Sequence, residues 1–312
     1  MSQHNPLSAI LDKQDFLLLD GAMATELEAR GCDLADSLWS AKVLVENPAQ
    51  IREVHLDYYR AGAQCAITAS YQATPAGLAA RGFDEAQSKA LIGKSVELAR
   101  KAREAYLAEN PQAGTLLVAG SVGPYGAYLA DGAEYRGDYV CTPETFQAFH
   151  RPRVEALLDA GVDLLACETL PNFIEMKALA ELLTEYPRAR ARAWFSFTLR
   201  DSEHLSDGTP LRDVAAFLNA CPQVVATGVN CIALENVTAA LQHLHGLTAL
   251  PLVVYPNSGE RYDAVSKTWH HHGEACATLA EYLPQWLAAG AKLIGGCCRT
   301  TPKDIAELNA QR

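Results

Sequence analysis

The sequence predicts a closed (β/α)8 barrel, and three observations carry that prediction. Eight short apolar runs, rich in Val, Ile, Leu and Ala and closed by small or polar residues, recur from one end of the chain to the other. Longer stretches with helical periodicity separate them. The segments "AGAQC", "AGVDLL" and "AGAKLI" repeat one junction three times, a glycine suited to the left-handed end of a helix just ahead of the next apolar run. Runs that are apolar throughout, rather than alternating, must be covered on both faces, which is the mark of parallel strands joined by crossover helices. Eight such units in 312 residues fit a closed barrel better than an open doubly wound sheet, and no G-x-G-x-x-G follows an early run to support the open form.

In chain order the predicted strands are "FLLLDGAMA" (16–24), "CAITASYQ" (65–72), "LLVAGSVGP" (116–124), "DLLACETLP" (163–171), "AWFSFTL" (193–199), "VVATGVNCI" (224–232), "LVVYPNSG" (252–259) and "AKLIGGCC" (291–298). The helical stretches include 84–109 and 142–161; in the second, Thr142 is placed to cap, Pro143 to open the first turn and Glu144 to follow it. No Gly/Ser-rich or Pro-rich linker interrupts the pattern, so residues 1–312 read as a single domain.

Bulk properties narrow the function. The formal net charge of -11 repels phosphate backbones and anionic lipid surfaces, so neither nucleic acid nor a membrane is an expected partner. No apolar run approaches the roughly 18 residues of a membrane span, and the first residues lack a signal-peptide pattern, so a cytoplasmic enzyme of small molecules, monomeric or a small homo-oligomer, is expected. Nine cysteines, an odd number spread over the whole chain, read as reduced thiols rather than a disulfide framework.

Barrel enzymes carry their chemistry on the loops at the carboxyl ends of the strands. Those ends here are Asp20-Gly21, Thr68 to Gln72, Ser121 to Tyr125, Glu168-Thr169, Asn230-Cys231, Tyr255 to Asn257 and Cys297-Cys298-Arg299. Cys231 ends the sixth strand, and Cys297 and Cys298 end the eighth, so their side chains can meet over one rim. Three thiolates at Zn–S distances of about 2.3 Å make a tetrahedral zinc site with one position open, the catalytic pattern. A bend after Gly295-Gly296 would let two adjacent cysteines face Cys231 together. A vicinal disulfide between Cys297 and Cys298 is not expected. Cys32, Cys65, Cys141, Cys167, Cys221 and Cys276 have no partner at ligand spacing and read as packing.

With "GVNC" (228–231) and "GGCC" (295–298) in view, together with "LLLDGAMATEL" (17–27), "SVGPYG" (121–126) and "ETLPN" (168–172), the chain resembles the homocysteine S-methyltransferases over essentially its whole length. The likeness is to the single-domain bacterial enzymes that use S-methylmethionine, rather than to betaine enzymes or to cobalamin-dependent methionine synthases. That resemblance implies one Zn²⁺ per chain, no cobalamin and no nucleotide cofactor. It implies methyl transfer from a sulfonium, S-methylmethionine or S-adenosylmethionine, to homocysteine. Asp20 and Glu168 are then expected to hold the homocysteine ammonium group, a role that charge complementarity suits. Backbone N–H groups around Gly21 can take its carboxylate, and Asn230 can orient the site beside a ligand. Tyr71, Gln72 and Tyr125 are candidates for the donor pocket, with aromatic faces toward the sulfonium.

Two other readings compete. A (β/α)8 aldolase or isomerase could use "IGG" after the eighth strand as a phosphate cradle, but no lysine stands at any strand end to form a Schiff base. A zinc- or thiol-responsive regulator would need an output surface, and none is visible. "WHHHGE" (269–274) lacks the i, i+4 spacing of helix-borne metal ligands and reads as a solvated loop, with 258–274 as a possible lid.

Overall fold

The computed structural model describes residues 5–34, 39–258, 261–263, 268–270 and 277–312. Eight parallel strands form its centre: β1 (Leu17–Leu18), β2 (Cys65–Ile67), β3 (Leu117–Val122), β4 (Leu164–Leu170), β5 (Ala193–Phe197), β6 (Val224–Asn230), β7 (Leu252–Tyr255) and β8 (Ala291–Ile294). Each falls inside one of the predicted runs. Each strand from β2 to β8 pairs with its neighbour in sequence, and β8 pairs with β1. The barrel closes between β1 and β2, where Leu19 bridges Cys65 and the N–H of Asp20 donates to the Cys65 carbonyl at 3.1 Å.

Alternation along the strands divides the apolar residues into two cores. Leu17, Leu19, Ala119, Ala166, Trp194 and Leu293 pack together inside the barrel. Their neighbours Leu18, Val118, Leu165, Phe195, Val254 and Ile294 point outward and pack under the helices. The result is a strand set buried on both faces, as an all-parallel sheet requires.

Helix boundaries follow local chemistry. The helix Pro143–Ala160 opens on Thr142, whose side chain accepts from the Thr145 N–H at 3.2 Å, with Pro143 in the first turn. Glu85–Glu109 opens on a reciprocal capping box between Asp84 and Gln87. The three repeated glycines, Gly62, Gly161 and Gly290, all take left-handed backbone, with φ of 107°, 82° and 91°. No described helix is long and apolar enough to cross a membrane.

Two expectations are adjusted here. The eighth strand stops at Ile294, and Gly295 to Cys298 leave the sheet as a turn. Of the 258–274 segment, Arg261–Asp263 pairs with Thr268–His270 as an antiparallel hairpin, while the rest of "WHHHGE" and Cys276 lie outside the described residues.

Candidate active site

The carboxyl ends of the strands enclose a cavity of about 330 Å³. Cys231, Cys297 and Cys298 all line it, and their sulfurs lie within 4.8 Å of one another. Cys231 and Cys297 are joined as a disulfide and Cys298 is a free thiol. The expectation of reduced thiols therefore fails for that one pair, because the fold brings their sulfurs into bonding contact. Burial pushes the Cys298 thiol up to about 11, even though Tyr135 reaches it with a hydrogen bond.

The turn that presents these cysteines is fixed by backbone bonds to its neighbours. The N–H groups of Gly295, Gly296 and Cys297 donate to the carbonyls of Val254, Asp20 and Pro256 at 2.9, 3.0 and 2.7 Å. Amides already engaged in this way cannot cradle a phosphate, so the aldolase or isomerase reading loses its anion site. The glycines are needed for proximity rather than for unusual torsions. Neither has positive φ, but a Cβ on Gly295 would meet Asp20 O at 2.7 Å, and one on Gly296 would meet Thr300 Oγ1 at 2.3 Å.

Asp20 and Glu168 face the same cavity from β1 and β4. Asp20 Oδ2 accepts from the Ile67 N–H at 2.8 Å, yet burial, reinforced by the charge of Glu168, lifts its carboxyl well above the usual range. Burial likewise pushes Glu168 up to about 7, although Ser121 and Tyr255 hydrogen-bond to it. Arg153 is the cation whose charge bears on Glu168, and burial outweighs it; for Asp20 the charge that bears is the like charge of Glu168.

Asn230, the last residue of β6, joins both groups. Its Oδ1 accepts from the Thr169 N–H at 2.8 Å and from Ser196 Oγ at 2.7 Å, and its Nδ2 donates to Thr169 Oγ1 at 2.8 Å. Thr169, Cys231 and Arg299 are three of the four described non-glycine residues with positive φ, at 61°, 51° and 67°. Strain of this kind persists only where the surroundings impose it, and here it gathers at the rim.

The remaining candidates divide. Gly21, Tyr71 and Gln72 line the cavity; Tyr125 does not. The Tyr125 ring packs instead among Tyr128, Tyr139, Phe146 and Phe149, and its N–H donates to Glu175 at 2.6 Å. At Gly21, a Cβ would meet Tyr58 OH at 2.8 Å, and the neighbouring Ala22 N–H already donates to Thr300 Oγ1 at 3.1 Å, so that amide is not available to a ligand carboxylate.

Beneath the rim, buried Arg153 donates to the carbonyls of Tyr71 and Gly123, both at 2.6 Å, and so ties the loops after β2 and β3 together. His150, between Arg153 and Glu175, is lowered by burial, so its 2.7 Å contact with Glu175 is a hydrogen bond of a neutral ring rather than an ion pair.

Glu134 and Tyr135 also line the cavity, and sequence reasoning did not find them. They sit on a short helix, Ala133–Arg136, between two left-handed glycines, Gly132 and Gly137. The available signal was the string "DGAEYRG", an acidic and an aromatic residue bracketed by glycines in the loop after a barrel strand.

A parallel barrel whose strand ends gather three cysteines and two buried carboxyls around one cavity defines a (β/α)8 enzyme with a thiol-based site. The family profile described as Homocysteine S-methyltransferase matches residues 17–311, so the chain belongs to that family and is a methyltransferase. It is 87% identical to the homocysteine S-methyltransferase of Escherichia coli K12 over the whole of both chains. The metallated form of the homocysteine methyltransferase MmuM from Escherichia coli superposes with a TM-score of 0.91 at 82% identity, covering 99% of this chain and 100% of that one. The oxidized form of the same protein gives 0.91 at 81%, with the same coverage.

Proposed function

We propose that the enzyme transfers a methyl group from a sulfonium donor, S-methylmethionine or S-adenosylmethionine, to the sulfur of homocysteine, with one zinc ion held by Cys231, Cys297 and Cys298. The observation that carries this reading is a single cavity holding three cysteine sulfurs within 4.8 Å of one another beside Asp20 and Glu168. That donor set fits zinc: tetrahedral ligands at about 2.3 Å stand roughly 3.8 Å apart, and three thiolates leave one position open. When bound, zinc supplies the ionisation of an incoming thiol, which otherwise costs about 2 kcal/mol at neutral pH.

The chain's own residues bind, orient and exclude water. Asp20 and Glu168 receive the homocysteine ammonium, and the Gly21 N–H, rather than the engaged Ala22 N–H, receives its carboxylate. Asn230 fixes the direction of Cys231 and, through Thr169, of Glu168. Tyr71 and Gln72 border the donor. The methyl carbon forms its bond to the homocysteine sulfur as its bond to the sulfonium sulfur breaks in line, and the leaving sulfur keeps the electron pair. The thiol proton has already left, so no general base acts during transfer. Opposite charges vanish as two thioethers form, and a dry cavity favours that change.

A disulfide offers no thiolate, so the competent form is the reduced one, consistent with a cytoplasmic enzyme of small molecules. The test is to incubate reduced, zinc-loaded protein with homocysteine and, separately, S-methylmethionine, S-adenosylmethionine, betaine and methyltetrahydrofolate, and to quantify methionine. Formation from a sulfonium, only after reduction, is expected. No product from either sulfonium overturns the donor reading, and full zinc content in Cys297→Ser overturns the three-thiolate site.

A further inference from the structure

Two residues that line the cavity each carry a buried acceptor oxygen with nothing to accept. Gln72 Oε1 and Glu134 Oε2 are each buried without a hydrogen-bond partner, and both residues line the cavity. A buried acceptor left unpaired costs about 1–3 kcal/mol, so two on neighbouring walls of one cavity point to a ligand that donates hydrogen bonds.

Other cavity carboxyls are accounted for. Asp20 and Glu168 stand at the strand ends, where the charge of Glu168 bears on Asp20. Glu28 lies 4.0 Å from the Arg299 guanidinium. Glu134 is placed apart from these, on the short helix after β3, where Asp131 and Arg136 are the charges that bear on it.

That helix is held firmly. Thr198 Oγ1 donates to the Glu134 carbonyl at 2.8 Å, and Asn172 Nδ2 donates to the Gly137 carbonyl at 3.2 Å. Gly126 lies so close beneath it that a Cβ there would meet the Glu134 nitrogen at 2.6 Å. Loops after β3, β4 and β5 thus fix the backbone that carries Glu134 beside the cavity.

We propose that Glu134, with Gln72, forms a subsite for the α-ammonium group of the methyl donor and so sets preference for donors that carry an amino acid end. This rests on the sulfonium-donor reading above. Two substrates each bring an ammonium group, and one pair of carboxyls at Asp20 and Glu168 serves the acceptor. A sulfonium has no N–H or O–H, so it cannot satisfy orphaned oxygens; a primary ammonium has three donors and can satisfy both. Tyr135, next along the helix, hydrogen-bonds with the Cys298 thiol, which places the donor's subsite beside the cysteine cluster.

The experiment compares wild type, Glu134→Gln and Glu134→Asp. Binding of S-methylmethionine alone is measured by calorimetry, and kinetics are measured with S-methylmethionine and with dimethylsulfoniopropionate, a sulfonium that lacks an amino group. Glu134→Gln should weaken S-methylmethionine binding and raise its KM about ten- to hundredfold, the worth of a hydrogen bond to a charged group. Its values for the amino-free sulfonium, its KM for homocysteine, its zinc content and its melting temperature should stay within about twofold or a degree or two of wild type. Glu134→Asp should recover part of the loss. Equal loss with both sulfoniums, an equal rise in the homocysteine KM, or no binding of S-methylmethionine by wild type overturns the subsite. Binding that follows this pattern in a protein that transfers no methyl group upholds the subsite and overturns the function proposed above.

Discussion

Asn230 holds Thr169 by both ends of its amide, accepting the Thr169 N–H at Oδ1 and donating from Nδ2 to Thr169 Oγ1, each at 2.8 Å. Asn230 ends β6 just before Cys231, and Thr169 follows Glu168 near the end of β4, so one side chain couples the orientation of the thiol cluster to that of the Glu168 carboxyl. It also holds Thr169 at a φ of 61°, which a β-branched residue rarely adopts.

Asn230→Ala should therefore act at two places. It orphans a buried N–H, and loss of a buried partner costs about 1–3 kcal/mol, readable as a shift in denaturant midpoint. Residues that orient metal ligands typically contribute 10–100-fold to metal affinity, so competition with a chromophoric chelator should show weaker zinc binding by about that factor. A variant with wild-type zinc affinity but the full stability loss would confine Asn230 to the fold.

The barrel was legible because its signals are local and repeated: apolar runs, capped helices and three glycines ahead of strands. The thiol cluster was legible because Cys231, Cys297 and Cys298 lie just past strand ends, and strand ends of a barrel share one rim. Tyr125 was misplaced because a strand-end position does not fix where a ring packs, and here the ring packs against Tyr128, Tyr139, Phe146 and Phe149. Glu134 escaped because it lies on a loop helix whose seat depends on Gly126, Asn172 and Thr198, contacts between distant segments that no local pattern encodes.

Glu168 supplies a pH dependence with a definite sign. Ser196 Oγ donates to Asn230 Oδ1 and lies 2.7 Å from Tyr255 OH, which in turn lies 2.9 Å from Glu168 Oε2. The Tyr255 hydroxyl donates to the Glu168 carboxylate, as does Ser121, and these bonds oppose the upward push of burial without cancelling it. Burial in the folded state pushes the group from 4.5 up to about 7. The native state thus binds a proton that the unfolded chain has lost, and this contribution to stability is full below pH 4.5 and lost as pH rises through 7. For zinc-free protein, unfolding free energy should fall by up to about 3 kcal/mol across that window, and Glu168→Gln should remove that part of the slope. A variant with the wild-type slope would assign the titration elsewhere. In catalysis the sign reverses, since the carboxylate is the form that pairs with an ammonium: homocysteine KM should fall as pH rises through about 7.

Gly296 decides how close the cysteine turn can lie to the barrel. A Cβ there would fall 2.3 Å from Thr300 Oγ1 and 2.6 Å from Thr300 Cβ, and Thr300 is fully buried, so it cannot swing into solvent. That hydroxyl donates to the Cys297 carbonyl at 2.7 Å and accepts the Ala22 N–H at 3.1 Å, linking the turn after β8 to the turn after β1. Gly296→Ala must therefore push the two turns apart, at the 1–3 kcal/mol typical of overpacking, and must move Cys297 and Cys298 relative to Cys231. The expected outcome is a lower melting temperature together with weaker zinc binding by reduced protein. Thr300→Ser in the same background removes the methyl group but keeps the hydroxyl, so it should relieve only part of the crowding and restore only part of the zinc affinity. If Gly296→Ala binds zinc as tightly as wild type, the spacing of the three sulfurs does not depend on this contact, and the double glycine before the paired cysteines has another cause.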